Sequence, residues 1–175
     1  MKIVLIGYRG TGKSSVGKRL ARKLKAPFYD TDDLIEASAG RSIGDIVSEE
    51  GWACFRRLEK EIIQEVASRK KGVVASGGGA VMDEENAGVL KRNGTLIWLD
   101  ANVETIIQRI YTDSQNNKKR PPLSGNDLYK ETVDLLGKRL PVYGGLADFS
   151  VNTDGKGVEE IVDEIYQFLK TKEKI

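Results

Sequence analysis

The chain has no histidine anywhere in its 175 residues. That absence removes every Ser-His and Cys-His catalytic pair and the usual zinc sites. Cysteine occurs once, as Cys54, so no intramolecular disulfide can form and a reducing compartment suits the protein. With no imidazole to activate its thiol, Cys54 reads as a small buried filler. No apolar stretch approaches the roughly 18 uncharged residues of a membrane span. The first residues enter a strand pattern without the basic region, apolar core and cleavage site of a secretory signal, so a cytoplasmic protein with no membrane partner is expected. An excess of either charge is also missing. Lys and Arg number 28 against 26 Asp and Glu, a net +2 that gives nucleic-acid binding by global charge no support. Any anionic partner has to be held locally. Repeats, Pro- or Ser-rich linkers and low-complexity tracts are absent too, and the length suits one domain over residues 1–175.

What is present begins at the N-terminus. Lys2-Ile3-Val4-Leu5-Ile6 is a short apolar, β-branched run that reads as a buried strand. It enters Gly7-Tyr8-Arg9-Gly10-Thr11-Gly12-Lys13-Ser14, which fills every fixed position of GxxxxGK[ST]. In such a phosphate loop the backbone N–H groups curl around the phosphates of a nucleotide, Lys13 reaches the β and γ groups, and the Ser14 hydroxyl sits on Mg²⁺. Val16, Leu20 and Leu24 then recur at helical spacing, giving an amphipathic helix whose N-terminal dipole faces the phosphate site.

Further along, Phe28-Tyr29-Asp30 reads as a second strand, and Asp30-Thr31-Asp32-Asp33 lies where it hands over to a helix running from Leu34. Acids at the carboxyl end of a strand face the ligand crevice of an open α/β sheet, which gives Asp30 and Asp32 a site role. Capping of that helix by Asp32 or Thr31 is the plainer use of the same residues. Ser42, with Asp45 three residues on, is an N-cap candidate, and Gly51-Trp52 marks a break before a stripe of Leu58, Ile62 and Val66. Arg56 and Glu59 stand one turn apart there, as a simple surface pair would.

A third strand, Gly72-Val73-Val74-Ala75-Ser76, ends in Gly77-Gly78-Gly79, which lets backbone approach a ligand and offers unobstructed N–H donors. Asp83 is placed to cap a helix over 84–92, Thr95 to Leu99 form a fourth strand, and 103–111 reads as a helix. Periodicity then stops in a polar, basic stretch ending Lys118-Lys119-Arg120, read as a lid over about 112–124. A helix over 128–140, a strand at 149–151 and a last helix beginning near Val158 complete an α/β sandwich with a parallel sheet.

Taken together, six short motifs resemble the shikimate kinase family of P-loop enzymes: the phosphate loop, Asp30-Thr31-Asp32, Phe55-Arg56-Arg57-Leu58-Glu59, Gly77-Gly78-Gly79-Ala80, Arg120-Pro121 and Arg139-Leu140-Pro141-Val142-Tyr143. The resemblance implies a three-layer α/β sandwich whose five-stranded parallel sheet has the order 2-3-1-4-5, with helices on both faces, a mobile lid and a shikimate-binding region over about 31–60. It implies phosphorylation of the shikimate 3-hydroxyl by ATP with one Mg²⁺ per subunit, in a monomer. Carried onto this sequence, Gly10, Thr11, Gly12, Lys13, Ser14, Ser15, Arg120 and Lys156 would bind ATP. Asp32, Arg56, Gly78, Gly79 and Arg139 would bind shikimate; Lys13, Asp32 and Arg120 would be catalytic; and Asp30 would orient a water on the ion held by Ser14. Two departures stand out. The family's lid usually reads Arg-Pro-Leu-Leu where this chain has Arg120-Pro121-Pro122-Leu123 after a longer stretch from Arg109, and Lys156 occupies a position that is often arginine.

Overall fold

The computed structural model describes residues 1–116 and 125–173, the side chains of 114–116, 125–127 and 173 excepted. Its strands are β1 (Lys2–Ile6), β2 (Phe28–Asp30), β3 (Gly72–Ala75), β4 (Thr95–Asp100) and β5 (Phe149–Asn152). All pairings are parallel, and the order is β2-β3-β1-β4-β5, as the resemblance implies. β1 lies in the middle, with Val4 opposite Val74 on one side and Leu96 on the other.

Alternation along the strands sorts the core into two layers. Ile3 and Leu5 of β1, with Val73, Ile97 and Leu99, face one way. They pack under Val16 and Leu20 of α1 (Lys13–Lys23) and Ile161, Val162 and Ile165 of α7 (Val158–Glu173). Val4 and Ile6, with Val74 and Leu96, face the other way and meet α3 (Ile43–Ser68) through Ile62, Ile63 and Val66 and α4 (Glu84–Asn93) through Leu90. A smaller cluster of Tyr8, Ala101, Ile106 and Leu136 joins the phosphate loop to α5 (Val103–Asn116) and α6 (Gly125–Leu146). Stacking of parallel strands under helices on both faces puts the strand-to-helix loops at one edge of the sheet.

Several boundaries differ from the sequence reading. α2 (Thr31–Ala39) begins directly after β2 because Asp30, rather than Asp32 or Thr31, is its N-cap, accepting from the Asp32 N–H at 3.1 Å. Ser42 and Asp83 cap α3 and α4 as expected, through the Asp45 N–H at 3.1 Å and the Asn86 N–H at 2.9 Å. Gly51 (φ 81°) interrupts α3 at the expected break. α5 continues to Asn116 instead of ending at Tyr111; the Thr112 hydroxyl donates back to the Gln108 carbonyl at 2.9 Å, which keeps a polar residue in the helix. The rest of the expected lid, residues 117–124, lies outside the described residues. α6 runs through Pro141 to Leu146, held beyond the proline by the buried Tyr143, whose ring sits 6.1 Å from that of Trp98. Among the described residues no helix is long and apolar enough to cross a membrane.

Candidate active site

The turn from β1 into α1 requires glycine at its first position. Gly7 has φ 138°, and a Cβ there would come within 2.4 Å of the Leu99 carbonyl oxygen, a backbone atom that cannot swing away. The loop is braced from within: the Thr11 hydroxyl donates to the Tyr8 carbonyl at 2.8 Å. Lys13, nearly buried, donates from Nζ to the carbonyls of Gly7 and Tyr8 at 2.8 and 2.7 Å. Its ammonium therefore sits in the concavity of the loop, at the N-terminus of α1, where backbone dipole and charge together favour an anion. Gly10, Thr11 and Gly12 complete the turn, while Ser14 and Ser15 lie exposed on the first turn of α1.

Asp30 joins this loop to the neighbouring strand. Its Oδ2 accepts from the Ser14 hydroxyl at 2.5 Å while its Oδ1 caps α2. One carboxylate thus caps α2 and holds the Ser14 hydroxyl of the phosphate loop. A hydroxyl and a carboxylate side by side, next to a phosphate-binding loop, form the oxygen set that suits Mg²⁺, which takes one or two protein ligands together with phosphate and water.

Across the loop lies the glycine turn after β3. A Cβ on Gly78 would be 3.3 Å from the Arg9 amide nitrogen and 3.5 Å from the Gly7 carbonyl oxygen, so this turn is pressed against the phosphate loop backbone to backbone. It is fixed from two other sides. The Gly77 N–H donates to the buried Thr31 hydroxyl at 2.9 Å, and the Tyr143 hydroxyl donates to the Gly78 carbonyl at 2.5 Å. Burial pushes the Tyr143 phenol up to about 12, against the pull of the Arg139 guanidinium. Tyr143 thereby stays a donor at neutral pH.

Three side chains, Asp32, Glu59 and Arg56, converge on this turn, and Arg139 stands beside the neighbouring Tyr8. Asp32 Oδ1 and Glu59 Oε1 lie 3.0 and 2.9 Å from the point where a Gly77 Cβ would sit. Arg56 Nη2 lies 2.8 Å from the corresponding point on Gly79, and its Nη1 donates to Glu59 Oε2 at 2.5 Å. Arg139 places its guanidinium 5.3 Å from the centre of the Tyr8 ring. The Arg56–Glu59 pair is no ordinary surface pair, because the Glu59 side chain is 1% exposed while that of Arg56 is 43% exposed. Burial raises the Glu59 carboxyl above its ordinary range; Arg56 opposes this, and the charges of Asp32 and Asp83 reinforce it. Glu59 Oε1 is buried without a hydrogen-bond partner. A half-exposed guanidinium tethered to a buried carboxylate is pre-aimed, and a guanidinium fork matches a planar carboxylate.

The structure thus brings together Lys13, Ser14, Asp30, Asp32, Arg56, Gly78, Gly79 and Arg139 at one edge of the sheet. Lys156 pairs with Glu164 of α7 at 2.6 Å. Arg109 is turned onto the phosphate loop, donating to the Gly10 carbonyl at 3.3 Å and to the hydroxyl and carbonyl oxygens of Thr153 at 2.9 and 2.8 Å. Arg120 lies outside the described residues. Cys54 is less buried than expected: it packs against the core from α3 but is partly exposed, and its thiol donates to Glu50 at 3.0 Å. Two contributors escaped the residue-by-residue reading, the buried state of Glu59 and the clamp made by Tyr143. Their signals were the spacing of Glu59 one turn after Arg56 and the place of Tyr143 at the end of the Arg139 motif.

A family model described as Shikimate kinase matches residues 9–170. A shikimate kinase of Syntrophus aciditrophicus is 47% identical over 171 residues, covering 93% of this chain and 88% of that protein. Another, of Symbiobacterium thermophilum, is 42% identical over 172 residues and 98% of each chain. Among solved structures, the shikimate kinase of Acinetobacter baumannii in complex with shikimate superposes with a TM-score of 0.91 at 34% identity, over 98% of this chain and 94% of that one.

Proposed function

The chain belongs to the shikimate kinase family, and from that membership we propose that it transfers the γ-phosphoryl group of ATP to the 3-hydroxyl of shikimate, giving shikimate 3-phosphate and ADP. One observation supports the site assignment above all others. The glycine turn that carries Arg56 and Asp32 beside it is packed directly on the phosphate loop, with Gly78 against the backbone of Gly7 and Arg9. Donor and acceptor are then neighbours by construction, which is what an in-line transfer needs.

In this reading Arg56 and Arg139 bind the shikimate carboxylate, with the Gly78 and Gly79 backbone facing the ring. Asp32 accepts hydrogen bonds from the ring hydroxyls. The reacting hydroxyl loses its proton to Asp32 as its oxygen forms the new bond to the γ-phosphorus; the bond from that phosphorus to the β-bridging oxygen breaks, and ADP leaves with its electron pair. Lys13 re-aims its ammonium from the loop carbonyls to the β and γ oxygens, and Arg120 adds positive charge at the transferring group. The amides of Gly10 to Ser15 cradle the phosphates, and Lys156 stands beside the adenine. Ser14 would hold Mg²⁺ directly and Asp30 through a water; when bound, the ion supplies positive charge beside the β and γ phosphates. The same proposal takes the protein as a cytoplasmic monomer whose partners are shikimate and ATP, without nucleic acid or membrane.

The test is ADP release with shikimate, gluconate or AMP offered one at a time. Turnover is expected with shikimate. Turnover only with gluconate or AMP, or with none of the three, would overturn the assignment.

A further inference from the structure

Resting on the acceptor site just proposed, we infer that Tyr8 is a positioning residue for that site. Its ring is the platform that aims Arg139 at the acceptor carboxylate, so the loop that binds the nucleotide also sets one wall of the acceptor pocket.

Tyr8 occupies a variable position of the GxxxxGK[ST] pattern, where neither the turn nor the phosphate demands an aromatic side chain. The residue is nevertheless 2% exposed, its ring wedged among Ala101, Ile106 of α5 and Leu136 of α6. Such packing fixes the ring plane, and the Arg139 guanidinium lies over it at 5.3 Å from the ring centre, within cation–π range. Arg139 leaves α6 half-buried, and its second contact is the Tyr143 hydroxyl, itself anchored to Gly78. A long side chain that would otherwise sample many rotamers is thereby held between an aromatic face and a phenol oxygen.

The backbone of the same residue works on the nucleotide side. The Tyr8 carbonyl accepts from Lys13 Nζ at 2.7 Å and from the Thr11 hydroxyl at 2.8 Å. The Gly78 α-carbon also packs against it, with the Tyr8 carbonyl carbon 3.6 Å from a Gly78 Cβ position. One residue therefore registers the phosphate-binding lysine, the acceptor-side glycine turn and the acceptor-side arginine against each other. A leucine at position 8 would fill the apolar space but offer no negative ring face to the guanidinium.

The test compares wild type, Tyr8→Leu and Tyr8→Phe in two readouts. In steady-state kinetics, Tyr8→Leu is expected to raise KM for shikimate by roughly 5- to 30-fold while KM for ATP stays within about twofold, and Tyr8→Phe is expected to restore the wild-type values. In ¹H–¹⁵N spectra the Arg139 Nε–H resonance, identified by its loss in Arg139→Lys, is expected to move out of the ring-current shift in Tyr8→Leu and to keep it in Tyr8→Phe. An unmoved Arg139 resonance, or an unchanged shikimate KM in a Tyr8→Leu protein whose melting temperature alone has fallen, would overturn the inference. If Tyr8→Leu does not fold, Tyr8→Met serves the same comparison. A wild type inactive with shikimate would instead sink the proposed function, and the NMR readout would still decide whether Tyr8 carries Arg139.

Discussion

Glu59 and Asp148 are carboxylates at opposite ends of one sheet, and their surroundings drive them in opposite directions. At the end where the strands begin, burial works against the Asp148 charge, but the Leu96 N–H at 2.9 Å and the ammonium groups of Lys91 and Lys172 outweigh it and hold the carboxyl below its ordinary value. Lys2, on the same edge, gives its buried ammonium to the Ala67 carbonyl at the end of α3. Polar groups there are closed off by the protein itself. At the other end, burial raises Glu59, its Oε1 has no partner, and Arg9 Nε in the phosphate loop is likewise buried and unpartnered. The difference is what separates a structural edge from a binding edge: a site keeps donors and acceptors unfinished and holds them in place by neighbours.

The comparison breaks most visibly at Asp32. Asp32→Asn is expected to lower kcat by about 10²- to 10⁴-fold while the melting curve stays close to wild type, because on the proposed mechanism the change removes the proton acceptor, and it alters little volume. Steady-state ADP release together with a thermal melt decides it, and near-normal turnover would take Asp32 out of the mechanism. Next in size is Arg56→Ala. Losing one charge-assisted contact to a carboxylate is expected to raise KM for shikimate by roughly 10- to 100-fold and to leave KM for ATP unchanged. An equal rise in both constants would mean that Arg56 supports the whole edge rather than the acceptor.

The two carboxylates themselves give smaller effects of opposite sign. Because the folded state raises the Glu59 pKa, the stability this residue contributes is complete below its unfolded value of about 4.3 and is lost as pH rises through the raised folded value. Wild type should therefore lose melting temperature relative to Glu59→Gln between pH 4.5 and 7, and the reverse trend would contradict the burial argument. For Asp148 the contribution is present above about 3.9 and lost as pH falls through the lowered folded value. Asp148→Asn is expected to lower stability by about 1–2 kcal/mol at pH 7, a few degrees in melting temperature, with kcat and both KM values unchanged. A kinetic effect there would show that the two ends are less separate than their contacts suggest.

How much of this was legible in the sequence follows the same division. The phosphate loop was readable because its chemistry is local: glycines, Lys13 and Ser14 stand in one continuous stretch. Strand positions followed from β-branched apolar runs, and the strand order came with the family resemblance and agrees with the structure. The acceptor side was harder. Arg56 and Glu59 look like any pair one turn apart until α3 is laid against the glycine turn and buries one partner. Tyr8 and Arg139 are separated by most of the chain and meet only because α6 packs beside the phosphate loop. Helix ends were misjudged where side chains replaced the expected stop signal, as Asp30 does before α2 and Thr112 does inside α5.

The central claim is that the unfinished edge is a transfer site in which a γ-phosphate is handed to a hydroxyl of shikimate. ³¹P NMR of the protein with ATP, Mg²⁺ and shikimate reads the product directly. The expected result is a phosphate monoester resonance that couples to the ring proton at the 3-position and grows in step with ADP. Growth of inorganic phosphate alone, or no loss of ATP, would contradict the account.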